Sequence, residues 1–220
     1  MIIDGGAHLG DAVQLLGALL PAATFHCFEP DPSLVNELNA TFRDKAGVHI
    51  VNAALGKSLG KAMFNINVSK PTNSLLPISE LLQSDIKSMC QLERQVEVEV
   101  TTIDEYCRKQ GLNQVDVLKL DLQGYDYLAL QGAEETLKRV KVVLVEVLFT
   151  EIYQGCGLFT EVFGLMSVSG FDLYTLCGLQ YGEGSRSIYL NSLSHNCAVS
   201  KIDCGQYNSR SQHVHTTSLT

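Results

Sequence analysis

Three acidic residues stand where short apolar runs end: Asp4 after Ile2-Ile3, Glu29 after 23–28, and Asp121 after 115–120. The first opens a glycine-rich stretch, Asp4-Gly5-Gly6-Ala7-His8-Leu9-Gly10. Glycine accepts positive φ, and without a Cβ it lets a ligand lie against the backbone. An apolar segment with helical spacing follows over 11–20, and a helix start turns unpaired N–H groups and positive dipole character toward the same place. The chemistry implied is capture of a nucleotide-like ligand with a negative group. Glu29 lies 19 residues after Gly10. That is close to the place, about 20 residues beyond a glycine turn, where nucleotide folds hold ribose hydroxyls. A carboxylate there offers two oxygens to two adjacent hydroxyls. Asp121 is suited to accepting a proton, positioning a substrate hydroxyl or contacting a cofactor amino group; capping the next helix is its plain structural use. Glu146 interrupts an apolar run over 141–147, where a charge is costly unless paired, so it is functional or ion-paired to Lys119 or another cation.

The elements that must position these residues follow from periodicity. Strands are expected at 1–3, 23–28, 48–52, 115–121 and 141–147, the last an apolar run suited to a strand covered on both faces. Helices are expected at 11–20, then from a Ser33 cap to about 44, from a Thr101 or Thr102 cap over 103–110, and over 159–168. On the second of these, Leu34, Leu38 and Phe42 share one face; on the last, Phe159, Phe163 and Met166 do. This alternation describes an open α/β sheet with its crevice at the carboxyl ends of the strands. Asp4, Glu29 and Asp121 would all face that crevice. Asn52-Ala53-Ala54-Leu55-Gly56 turns over the same edge; its small residues leave room for a flat ring, and Asn52 is placed to reach a ring nitrogen.

Residues 57–101 break the rhythm. Period-2 segments at 63–68 and 95–101 predict a β-rich insertion on the substrate side, with a polar loop over 69–94. Near the end, 171–176 and 187–190 read as strands joined by a glycine-rich connection, hence an antiparallel closing hairpin. The domain is expected to run over 1–192 and a polar, flexible tail over 193–220.

Composition sets the outer limits. The 220 residues fit one α/β domain with a sizeable core, being 45% hydrophobic. A net charge of −8, with no Lys/Arg run longer than two, argues against a nucleic-acid surface. No signal peptide and no membrane span are seen, so a reduced, cytoplasmic setting is the expectation. Of seven cysteines, Cys27, Cys107 and Cys177 lie in apolar segments and read as buried free thiols. Cys197, Cys204, His213 and His215 lack the paired spacing of a zinc site, and no metal is expected. The first strand is short against the usual ~5–6 residues, which points to a truncated or misassigned start.

Spacing separates two ligand classes. The dinucleotide fingerprint would need glycine at Ala7, reading from Gly5. The chain instead has Asp4, Gly6 and Gly10 as Asp-x-Gly-x-x-x-Gly, with His8, a type tolerated at positive φ, between them. This resembles the first motif of class I S-adenosylmethionine (SAM) methyltransferases. Together with Phe28-Glu29-Pro30-Asp31-Pro32, Asn52–Gly56, Lys119-Leu120-Asp121-Leu122-Gln123-Gly124-Tyr125-Asp126, Leu130-x-Gly132-Ala133, Val145-Glu146-Val147 and Gly170-Phe171-x-Leu173-Tyr174, the chain over about 1–190 resembles the FkbM family of SAM-dependent methyltransferases. It departs from the family at His8, usually Asn, at Asp126, often Glu, and in lacking the region before the first motif. The resemblance implies a Rossmann-like, mostly parallel seven-stranded sheet with a C-terminal antiparallel hairpin. It implies SAM held by Asp4, Gly6, His8, Gly10, Glu29, Asn52, Ala53 and Asp121. The reaction implied is methyl transfer to a hydroxyl of a small molecule or glycan, with Asp121 as base and Asp126 or Glu146 in reserve. No nucleic-acid or membrane partner is expected, and the oligomeric state stays open. An NAD-dependent oxidoreductase or epimerase shares Glu29 and the glycine turn but needs the full fingerprint and a Tyr-x-x-x-Lys pair, both missing. A non-catalytic SAM-binding domain is the third reading.

Overall fold

In a computed structural model the described residues are 1–80, 82, 87, 88, 90–176, 179–181, 188–190 and 197–200. Seven strands form the main sheet in the order β3-β2-β1-β7-β8-β12-β9. These are β1 (Ile2–Gly5), β2 (Phe25–Phe28), β3 (Val48–Val51), β7 (Val117–Leu120), β8 (Val142–Val145), β9 (Asp172–Thr175) and β12 (Cys197–Ser200). The first five are mutually parallel, and β12 runs antiparallel to both β8 and β9. From β1 the chain steps outward to β2 and β3, then returns to the other side of β1 for β7. The β1/β7 boundary is therefore the switch point, where such sheets open a crevice.

Alternation along the strands divides the core. Ile2, Phe25 and Cys27 pack on one face with Val13, Leu38 and Phe42, from α1 (Asp11–Leu19) and from α2 (Pro32–Thr41) and the residue that ends it. Ile3, Leu118, Leu120, Val143 and Val145 pack on the other. Their partners come from α3 (Ile103–Gln110), α4 (Asp126–Gln131), α5 (Glu134–Leu137) and α6 (Phe159–Val168). The expected apolar face of α2 is present, Leu34, Leu38 and Phe42 all being buried. Its cap is Asp31, not Ser33: Asp31 Oδ1 accepts from both the backbone N–H and the hydroxyl of Ser33, and Pro32 takes the first helical position. Pro32 suits that position because it fixes φ and has no N–H to satisfy. Thr102 caps α3 through Glu105 N–H. On α6 the buried residues are Val162 and Met166, while Phe163 is exposed.

The insertion forms a second sheet, β4 (Ala54–Leu55), β6 (Leu92–Thr101) and β5 (Gly60–Asn67), with β6 central and antiparallel to β5. A short 3₁₀ turn, Lys70–Thr72, starts the loop that leaves β5.

The closing arrangement differs from the sequence expectation. The strand at 171–176 is present as β9, but its partner is β12 and not 187–190. Residues 188–190 form β11, paired to β10 (Leu179–Tyr181) in a separate hairpin. The domain boundary expected at 192 cuts off β12, which sits in the sheet between β8 and β9. Periodicity could not see this, since four residues beyond a polar stretch carry too short a pattern. The expected thiols Cys27 and Cys107 are free and buried, as are Cys90 and Cys156. Cys177, Cys204, His213, His215 and the 201–220 part of the tail lie outside the described residues. Among the described residues no helix is long and apolar enough to cross a membrane.

Ending the chain at residue 192 is expected to abolish cooperative unfolding, because β8 and β9 lose the strand between them. A far-UV circular dichroism melt that stays sigmoidal with the full chain's midpoint would show β12 to be dispensable.

Candidate active site

At the switch point the glycine turn rises from β1 against the end of β7. A Cβ on Gly6, whose φ is +74°, would lie 2.0 Å from the Asp121 carbonyl oxygen, so only glycine permits this approach. Gly10, φ +88°, lies under the Phe42 ring, 2.3 Å from where its Cβ would be. His8 adopts φ +48°, the left-handed conformation expected of it.

Several donors of the turn are engaged within the protein. The N–H groups of Gly6 and Ala7 donate to Phe28 O, that of Gly10 to Ala7 O, and that of His8 to Glu29 Oε2. The carbonyls of Gly5 and Gly6 accept from Lys119 Nζ at 3.2 and 2.9 Å. Gly6, Ala7, His8 and Gly10 thus spend their donors on the protein itself.

Beneath the turn, fully buried Asp4 pairs with Lys119 across the β1/β7 register at 3.0 Å. Burial works against the Lys119 ammonium, but Asp4, and then Asp121, hold it charged. This pair replaces the Glu146–Lys119 pairing envisaged from sequence.

One cavity of about 470 Å³ lies over this end of the sheet, within the ~300–1,000 Å³ of cofactor and ligand pockets. Of the ten sequence-predicted residues, Gly6, His8, Glu29, Ala53 and Asp121 line it. Asp4, Gly10, Asn52, Asp126 and Glu146 do not. Asn52 is turned back, its Nδ2 donating to the carbonyls of Glu29 and Pro30, so it braces the β2 end. Asp126, buried, accepts from Leu122 N–H through Oδ1. Glu146, buried, accepts from Gln123 Nε2.

Glu29 is 4% exposed, and each of its oxygens accepts one backbone N–H, from Asp31 at Oε1 and His8 at Oε2. Burial pushes its carboxyl up to about 7, against the opposing pull of those two bonds. Each oxygen keeps lone-pair capacity for a hydroxyl donor. Phe28, Pro30, Ala53 and Leu55 form apolar wall beside it. Asp121 ends β7; it is raised by burial and lowered by Lys119 and a 2.8 Å hydrogen bond from Gln123 Nε2. Burial likewise raises Asp126, to about 7, and Glu146; for both, the neighbouring Asp121 charge is the second cause.

Sequence reasoning missed Gln123, Tyr125, Lys70 and Asn73, all of which line the cavity. Lys70 and Asn73 come from the insertion loop, whose fold periodicity does not fix. Gln123 stands at φ +52°, one of two non-glycine residues with positive φ among those described. Such conformations cost of order 1–3 kcal/mol and collect at functional sites, but sequence gives no sign of them beyond the following Gly124.

A cavity lined by Asp11, Glu29 and Asp121 at the switch point of a parallel sheet closed by an antiparallel strand defines a Rossmann-like fold of the class I methyltransferase kind. The sequence model of the Methyltransferase FkbM domain matches residues 4–173, and the chain belongs to the FkbM methyltransferase family. The family's cofactor is SAM. The chain is 22% identical over 160 residues to the 2-O-methyltransferase NoeI of Sinorhizobium fredii, the match covering 70% of this chain and 66% of NoeI. It is 27% identical over 195 residues to the methyltransferase sdnD of Sordaria araneosa, covering 78% of this chain and 73% of sdnD. The crystal structure of the FkbM methyltransferase from Methylobacillus flagellatus KT superposes with a TM-score of 0.54 at 12% identity, covering 90% of this chain and 42% of that one. The fold is shared, and this chain spans about two thirds of NoeI and under half of the solved FkbM chain.

SAM fits the residues present: Glu29 retains acceptors for ribose hydroxyls, the apolar walls accept a base, and the acidic lining complements a sulfonium.

Two outcomes follow from the charges. Lys119→Met leaves Asp4 buried without its partner and is expected to destabilise by about 3–5 kcal/mol in urea titrations. The Asp4→Asn/Lys119→Met double variant should recover part of that. Because Glu29 and Asp126 rise from ordinary carboxylate values to about 7, the folded state binds their protons more tightly than the unfolded chain. Their contribution is fully present below about pH 4 and is lost as pH rises through 7. Stability should therefore fall by an amount on the order of a few kcal/mol between pH 5 and 8, and Glu29→Gln should flatten that slope.

Proposed function

We propose that this protein transfers the methyl group of SAM to a hydroxyl oxygen of a small molecule or glycan. The observation that carries the reading is the convergence of Glu29 and Asp121 on one cavity beside the glycine turn. When bound, SAM supplies an electrophilic methyl group on a positively charged sulfur. Glu29 grips the ribose hydroxyls with the free acceptor capacity of both oxygens. Gly6 and His8 bring the turn's backbone against the ligand, and Ala53 with Phe28 and Pro30 walls the base. Asp121, facing the cavity, takes the proton of the acceptor hydroxyl as the new bond forms. Its raised affinity for protons suits that task near neutral pH, since a strongly acidic carboxylate would be a poor base. Lys70, Asn73 and Leu75 of the insertion form the wall that meets the acceptor and excludes water, which favours an aligned transfer. Transfer to oxygen is supported by the likeness to NoeI, a 2-O-methyltransferase.

The dinucleotide reading is disfavoured by the turn itself. A diphosphate needs N–H groups pointing at it, and those of Gly6, Ala7, His8 and Gly10 are already bonded.

Calorimetry is expected to give binding of S-adenosylhomocysteine and none of NAD. Glu29→Ala should weaken that binding by about 10-fold or more, the size of a lost hydrogen bond to a charged group. Affinity in the native protein should rise between pH 6 and 8 as Glu29 ionises. Asp121→Ala should keep binding and lose methyl transfer in a screen of hydroxyl acceptors with labelled methyl donor. Binding of NAD in preference to S-adenosylhomocysteine overturns the reading.

A further inference from the structure

Behind the cavity wall lies a cluster that the proposed reaction does not use in full. Asp121, Asp126 and Glu146 come from the end of β7, the start of α4 and the end of β8, and Gln123 stands among them. Its single amide nitrogen donates to two of the three acids, to Asp121 Oδ1 at 2.8 Å and to Glu146 Oε2 at 3.2 Å. Its amide oxygen accepts from the Tyr153 hydroxyl at 2.8 Å, with the Thr72 carbonyl a longer alternative for the same hydrogen at 3.2 Å. Tyr153 is buried, so that hydroxyl has no water to turn to. The Tyr153 donor therefore fixes which end of the carboxamide is oxygen and directs both N–H groups at the acids.

The main chain is held as firmly. Gln123 sits at φ +52°, and its carbonyl accepts from Ser74 Oγ at 2.8 Å. Ser74 itself is paired to Asn65 of β5 in both directions through the backbone. The insertion thus holds a strained turn in place, and the turn aims one side chain. A Gln kept in a conformation that favours glycine, with every polar atom of its side chain engaged, is arranged for the side chain's sake.

We infer that Gln123 is a positioning residue: its carboxamide, oriented by Tyr153, directs the negative charge of the buried cluster onto Asp121, the one of the three acids that lines the cavity. Asp126 spends Oδ1 on the Leu122 N–H, and Glu146 receives the longer of the two amide bonds. Asp121 has the shorter bond and, besides it, faces Lys119, with Asp4 and His8 beyond. The other groups facing the cluster are Tyr153 and Cys156 from the segment after β8, both neutral thiol or phenol whose ionisation burial opposes. Removing the amide takes away a donor that only the anion of Asp121 exploits fully, so Asp121 should hold its proton to higher pH. The consequence for catalysis rests on the reading of Asp121 as base given above; the charge distribution itself does not.

The test is carbon-detected NMR of side-chain carboxyls in the full-length chain, titrated between pH 5 and 9. Gln123→Asn and Gln123→Gly suit the left-handed backbone yet cannot reach Asp121 and Glu146 together. The Asp121 carboxyl is expected to bind its proton about tenfold more tightly in both, the size of a lost hydrogen bond to a charged group. Tyr153→Phe, which leaves the backbone untouched, should move Asp121 the same way by less. A change below about threefold in both Gln123 variants overturns the inference. If neither Gln123 variant folds, an unmoved Asp121 in Tyr153→Phe overturns it instead. Calorimetry of S-adenosylhomocysteine with the unaltered chain is run beside it. Failure there counts against the cofactor reading and leaves the carboxyl titration standing.

Discussion

The buried ammonium of Lys119 is the constraint on which this site depends. It is held by Asp4 and by the carbonyls of Gly5 and Gly6, so three acceptors from β1 and its turn converge on one side chain of β7. An ion taken out of water is costly unless its partners are in place, and this one has all three. The pairing does more than neutralise charge. It fastens the glycine turn to the strand that carries Asp121, close enough that Gly6 meets the Asp121 carbonyl. A neutral, apolar pair at these positions would leave the Gly6 carbonyl without its donor, while the Gly5 carbonyl would keep the N–H of Asp121. The carbonyls of Gly5 and Gly6 are bound by Lys119, and the N–H groups of Gly6, Ala7 and His8 are bound from the β2 side.

The acids around it are then constrained by a common problem. Glu29, Asp121, Asp126 and Glu146 all lie at or just past strand or turn ends on one edge of a parallel sheet, and all are raised by burial. Lys119 is one cation among four such carboxylates, and Asp4 already shares it. The protein satisfies the rest with neutral donors: backbone N–H for Glu29 and Asp126, and a carboxamide for Asp121 and Glu146.

What could be read from the sequence was whatever repeats or punctuates. The strand ends at Glu29 and Asp121 and the turn at Gly6 followed from apolar runs and glycine spacing, and they are present. Residues whose role depends on where a side chain turns were not readable. Asn52 has the right neighbours for a base contact but folds back onto Glu29 O and Pro30 O. Lys119 was weighed as a partner for Glu146, although Asp4 lies opposite it across the adjacent strands. Period-2 reasoning within each strand cannot choose between neighbours on either side. The closing strands failed for a similar reason: 188–190 and 197–200 are both short, and only the sheet's free edge at β8 decides which of them joins it.

The insertion ties these levels together. Its sheet is built from β4, which leads directly out of the Asn52-Ala53 turn, and from β5 and β6. Its loop returns over the cavity, where Ser74 binds the Gln123 carbonyl and Ile78 pairs with Tyr153. The same loop also supplies Lys70, Asn73 and Leu75 to the cavity wall. Asn73 and Leu75 of the cavity wall therefore stand next to Ser74, which holds the turn carrying Gln123. A change at these positions acts on the cavity wall and on that turn together. In a fold whose strands and helices are shared with many unrelated activities, that linkage is where the particular chemistry of this chain resides.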